Sequence, residues 1–88
     1  MTLFRGVLRD DVVREIIASQ LDVPAETVEP ARRLIDDLGA DLVSLTQLAL
    51  ALEDTFDITI ADEDWIEVAT VAEVIAYVAA LLTRTPPN

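Results

Sequence analysis

Asp37-Leu38-Gly39-Ala40-Asp41-Leu42-Val43-Ser44 holds a chain breaker, a helix cap and the first turn of a helix in eight residues. Gly39 ends whatever precedes it, because glycine enters backbone conformations that other residues avoid. Asp41 is a good N-cap: its carboxylate can accept the backbone N–H of Ser44, three residues on. Beyond it Leu45, Leu48, Leu52 and Phe56 recur at i, i+3, i+7 and i+11, one apolar stripe on a helix from about Leu42 to Phe56. A capped helix that faces a core on one side needs other helices or a sheet to cover that side.

Outward from this stretch the covering elements are helical. Val13, Ile16, Ile17 and Leu21 keep helical spacing, Asp10 or Asp11 can cap them, and Pro24 stops the helix. From Asp22 to Asp41 no period holds, so a long loop is expected, with Leu34, Ile35 and Leu38 as the anchors that tie it to the core. A short third helix is expected within Asp62 to Glu67, capped by Asp62, with Trp65 and Ile66 supplying apolar contact. Thr70 and Glu73 form a capping box ahead of Val71, Val74, Ile75, Val78 and Leu82, the stripe of the fourth helix. The expected fold is all-α: a four-helix bundle of three longer helices and one short one, with a long loop between helices 1 and 2. Residues 1–9 read as an N-terminal extension, 10–83 as the bundle and 84–88 as a flexible, Pro-containing tail.

The composition fits and excludes. Two glycines and four prolines are too few for the turns of an all-β fold, and few aromatics leave the core to aliphatic side chains. Seventeen acidic residues stand against six basic ones, all arginine, for a net charge of −11. Such a surface repels nucleic acid and anionic membranes and draws cationic protein patches. With no histidine and no cysteine, Ser-His-Asp, Cys-His and zinc sites are impossible. Asp62, Glu63, Asp64 and Glu67 cluster and could attract a divalent cation, but consecutive residues rarely converge on one ion, so no metal is expected. Arg5 and Arg9 interrupt any signal-like run, and no stretch has the length of a membrane span. These features lead to the expectation of a cytoplasmic monomer that is not an enzyme, with no nucleic-acid partner and no membrane insertion.

Asp37-Leu-Gly-Ala-Asp41 before the second helix and Ala51-Leu-Glu-Asp-Thr-Phe-Asp57 at its end resemble the acyl carrier proteins of fatty-acid and polyketide synthesis. The likeness runs without a gap from about Val13 to Val78, through Ile16-Ile17, Gln20-Leu21, Val28, Ile60, Asp62-Glu63, Thr70-Val71 and Tyr77-Val78. It implies a carrier: a serine at the start of the second helix bears 4'-phosphopantetheine, held where the helix N-terminus favours a phosphate. It also implies acids along that helix that dock on basic patches of acyl-chain-handling enzymes or of a phosphopantetheinyl transferase.

Counted forward from Gly39 or back from Phe56, the family's serine falls on Leu42, whose side chain has no nucleophilic oxygen. The nearest hydroxyl is Ser44, two residues on and about 200° around the helix axis from Leu42. Ser44 is therefore the candidate attachment residue; its other reading is a first-turn hydroxyl that bonds locally to the backbone. The candidate docking residues are Asp41, Leu42, Gln47, Leu50, Glu53 and Asp54, with Ser44 and Gln47 where carriers often show further acids. Leu42, Val43 and Leu50 form an apolar strip that either packs under the long loop or meets a partner through hydrophobic surface. Three functions follow: an acidic docking module without phosphopantetheine at the usual position, a carrier modified at Ser44, or a scaffold, regulator or decoy that keeps only the bundle.

Overall fold

A computed structural model describes residues 9–83. The expectations for residues 1–8 and for the 84–88 tail lie outside the described residues. Helix α1 spans Arg9–Leu21, a single 3-10 turn spans Ala25–Thr27, and α2 spans Leu42–Phe56. The short α3 spans Asp62–Trp65 and α4 spans Val71–Thr83. Among the described residues there is no strand, only an isolated antiparallel bridge between Arg33 and Thr70.

Each long helix contributes one stripe to a common aliphatic core: Val13 and Ile17, Leu48 and Leu52, and Val71, Val74 and Val78. Leu45, Phe56, Ile75 and Leu82, expected in the same stripes, are half-buried and pack around that core. No charged or polar residue is buried among the described residues. The driving force is therefore apolar burial, with polar groups left to fix the edges.

Two helix ends are closed by aspartates in the left-handed region, Asp22 and Asp57, both at φ 57°. Val23 N–H returns to Ala18 C=O at 3.0 Å and Ile58 N–H to Glu53 C=O at 3.2 Å, the five-residue closure that satisfies terminal carbonyls. Glycine is the commoner residue there; aspartate tolerates the conformation because its short polar side chain bonds locally.

The long loop is tied down by its own hydrogen bonds as much as by its side chains. Leu34 N–H donates to Ala69 C=O, Val71 N–H to Arg32 C=O and Ala72 N–H to Pro30 C=O, which zips the loop to the start of α4. Arg14 Nε donates to Val28 C=O at 2.8 Å, and Val28 is buried. Gly39, at φ 77°, then turns the chain so that Ala40 N–H reaches Leu34 C=O at 2.8 Å and Asp41 arrives at the head of α2.

Four local expectations need correction. Asp10 and Asp11 lie inside the first turn of α1, where they favour the dipole rather than cap the helix. Ile35 is exposed, whereas Val28 and Ala40 join Leu34 and Leu38 as the buried anchors of the loop. Asp62 is the first residue of α3, behind an Ala61 cap position that makes no side-chain bond. Ile66 projects outward, and only Trp65 packs inward, donating from Nε1 to Leu45 C=O at 3.1 Å.

Candidate functional site

The head of α2 is the place where sequence and geometry meet. Asp41 has extended backbone (φ −130°, ψ −177°), and its Oδ1 accepts Ser44 N–H at 2.8 Å. Ser44 Oγ in turn accepts Asp41 N–H at 2.9 Å and donates to Asp41 C=O at 3.1 Å. This is a reciprocal capping box in which serine takes the place usual for glutamate or glutamine. The Ser44 N–H, with a further contribution from the Ser44 hydroxyl, holds the Asp41 carboxyl below its ordinary 3.8. The local reading of Ser44 is the one the structure adopts: its hydroxyl is committed in both directions.

At about 100° per residue the helix separates the candidate docking residues into faces. Val43, Gln47, Leu50 and Asp54 share the outer face and are all exposed. Leu42 and Glu53 lie on the flank that turns towards α3, and Leu42 is 80% exposed. Ser44 lies on the opposite flank, half-buried. The loop covers none of Leu42, Val43 and Leu50, so the apolar strip is open to solvent.

Glu53 is not a free acid of that surface. Its Oε2 accepts the N–H of buried Ile60 at 2.7 Å, which fixes the chain leaving α2 on its way to α3. The carboxylate acts on the fold of the second loop, a role that sequence alone did not separate from docking.

Leu45, also on the α3 side of α2, lines a cleft of about 210 Å³ together with Arg33, Leu34, Ile35, Asp36, Ile66 and Val68. Ile66, 81% exposed, and the exposed Ile35 are the apolar residues here that the sequence did not single out as surface. The available signal was context: Ile66 stands among Asp62, Glu63, Asp64 and Glu67, and an isoleucine among acids has no stripe to join.

The acidic cluster around α3 is structural where it is engaged. Tyr77 OH donates to Asp64 Oδ2 at 3.2 Å and accepts Ala61 N–H at 3.3 Å, tying α3 to α4. Among the described residues no acidic grouping is arranged to hold a metal ion, and no helix is long and apolar enough to cross a membrane.

The family defined by a phosphopantetheine attachment site matches residues 11–78. The chain is 43% identical over 65 residues to the acyl carrier protein of Syntrophobacter fumaroxidans, covering 74% of this chain and 80% of the relative. It is 38% identical over 68 residues to that of Wolinella succinogenes, covering 77% and 90%. Among solved structures it is similar to the acyl carrier protein from Enterococcus faecalis, with a TM-score of 0.69 and 33% identity, covering 82% of this chain and 91% of that one.

Proposed function

The chain belongs to the acyl carrier protein family, a family of carriers rather than enzymes, and from that premise we propose that it is an armless member. In this reading it docks on enzymes of fatty-acid, lipid or polyketide synthesis without bearing phosphopantetheine at the usual position. It does so in the cytoplasm and as a monomer.

The observation that carries the proposal is the state of the two candidate attachment residues. Leu42, at the register of the family's serine, offers no oxygen to esterify. Ser44 offers one, but its Oγ already accepts from Asp41 N–H and donates to Asp41 C=O. Esterification would remove the donated proton and set an anionic phosphodiester beside the Asp41 carboxylate, a like-charge contact. Ser44 also faces the flank away from the α3 cleft. The residues present do not fit the arm.

What the chain retains suits docking. Asp41, Gln47 and Asp54 present polar and acidic groups beside exposed Leu42 and Leu50. A net charge of −11 steers cationic surfaces towards it, mainly by raising the association rate. A docking module without an arm competes with true carriers for the same enzymes, which makes it a regulator or decoy.

The test is an intact mass after incubation with coenzyme A and a broad-specificity phosphopantetheinyl transferase, with the host's own transferase as a second arm. The parent chain is expected to keep its mass, and Leu42→Ser is expected to gain one phosphopantetheine. A gain on the parent that vanishes in Ser44→Ala would establish the displaced carrier instead.

A further inference from the structure

Helix α2 is free of charge over most of its length in a chain crowded with acids. From Leu42 to Leu52 eleven residues pass without a charged side chain, although 26% of the chain is charged. Where they reach the surface they are largely apolar: Leu42 is 80% exposed, Val43 65% and Leu50 58%. Exposed Thr46 and Gln47 lie between them. An open apolar patch of this kind, on a protein of net charge −11, marks an interaction surface.

Spacing and charge select a second copy of the chain as the occupant. Val43, Gln47, Leu50 and Asp54 follow one another at four, three and four residues, the seam spacing of a two-stranded coiled coil. Two copies laid parallel would set Asp54 against Asp54 and align two helix dipoles. Laid antiparallel, Leu50 of each copy enters the space between Val43, Gln47 and Leu50 of the other. Asp54 then stands beside the first turn of the other copy's α2, which holds no acidic residue of its own and where the helix dipole favours an anion. The contact is self-complementary, as a two-fold pair requires.

The other faces do not offer this approach. Asp10, Asp11 and Glu15 are exposed on α1 and Asp62, Glu63 and Asp64 on α3, so a second copy there would meet acid with acid. Along α4 no large apolar side chain is exposed among the described residues. Eleven residues make about 16 Å of helix, about 10–12 Å across with its side chains. The patch is therefore smaller than the roughly 800 Å² per partner of a standard interface, and the pairing is weak and reversible. The monomer is the dilute form.

We infer that two copies of this chain pair antiparallel through the outer face of α2, with Val43 and Leu50 as the apolar anchors. The pair covers Gln47, Leu50 and Asp54, three of the candidate docking residues, so a paired copy is not free to dock. Self-association then sets how much of the docking module is available at a given concentration. That consequence rests on the armless docking reading above; the pairing itself does not.

The test is a dilution series of the isotope-labelled chain alone, from about 1 mM to about 10 μM, the range of weak contacts. Amide shifts should move at Val43, Thr46, Gln47 and Leu50, and sedimentation should pass from dimer towards monomer over the same range. Added salt should tighten the pair, because it screens the repulsion between two chains of net charge −11. Val43→Asn and Leu50→Asn should each weaken pairing about tenfold or more, since a symmetric contact loses the anchor twice. Ile66→Asn, exposed but off this face, should change it less than about twofold. All three side chains are exposed, so unchanged shifts elsewhere will report an intact fold. The chain has no cysteine, so oxidation can trap the register: Gln47→Cys mixed with Leu50→Cys should cross-link, and Val43→Cys alone should not. A monomer at every concentration, shifts centred on another face, or weakening by salt would each overturn the inference. So would unaltered pairing in Leu50→Asn, cross-linking of Val43→Cys alone, or no cross-link in the mixture. A mass gain on the parent chain is a separate result and bears on the armless reading instead.

Discussion

Replacing Glu53 distinguishes a docking acid from a structural one. In Glu53→Ala the N–H of Ile60 loses its acceptor, a carboxylate oxygen at 2.7 Å, in a place where Ile60 itself is buried. A hydrogen bond to a charged group contributes about 1.5–3 kcal/mol, and an orphaned, poorly hydrated N–H keeps most of that loss. For a domain of this size each kcal/mol moves the thermal midpoint by about 4–8 °C, so a fall of about 6–24 °C is expected. Glu53→Gln keeps a neutral acceptor and should lose about half as much, because charge-assisted bonds are roughly twice as strong. Asp54→Ala, next in sequence but exposed, should stay within about 0.5 kcal/mol of the parent. Urea unfolding followed by Trp65 fluorescence gives the stabilities, and hydrogen exchange at the Ile60 amide gives the local opening. If Glu53→Ala left stability and Ile60 protection unchanged while weakening partner binding, the structural role assigned to Glu53 would be wrong.

Leu52 has no exposed surface, so Leu52→Ala should cost about 2–5 kcal/mol by urea unfolding. That is a large part of the roughly 4–13 kcal/mol expected for 88 residues, while Leu50→Ala, outside the core, should stay within about 0.5 kcal/mol. The Asp41 cap makes stability depend on acid. Its folded carboxyl titrates below the ordinary 3.8, so the unfolded chain binds the proton first. The contribution is therefore complete above 3.8 and fades as pH falls through the lower, folded value. Asn is an equally good N-cap, so thermal melts of Asp41→Asn should match the parent near neutral pH and show a shallower acid-side decline. A decline as steep as the parent's would remove Asp41 as its source.

The helices were legible because their signals are local. The Leu45, Leu48, Leu52 and Phe56 stripe, the Asp41 cap and the Thr70–Glu73 box depend on residues three or four apart, and all appear as expected. The role of Glu53 was not legible, because its partner Ile60 lies seven residues on, across a helix end and a turn whose path no periodicity describes. The same holds for Ile35 and Ile66. Each is an aliphatic residue beside another apolar one, and which of Leu34 or Ile35, Trp65 or Ile66, turns inward goes with the bond of the Leu34 N–H to Ala69 C=O and of the Trp65 indole N–H to Leu45 C=O.

The Asp37–Ser44 stretch divides in the same way. By itself the sequence determined where α2 begins, which family the chain resembles, and that Leu42 cannot form an ester, since these follow from residue identity and spacing. Only the folded chain decided what Ser44 and Leu42 do instead. Ser44 Oγ closes a box with Asp41 because the turn at Gly39 presents Asp41 in extended conformation. Leu42 remains in solvent because the loop spends its hydrogen bonds on the start of α4 and does not cover the head of α2.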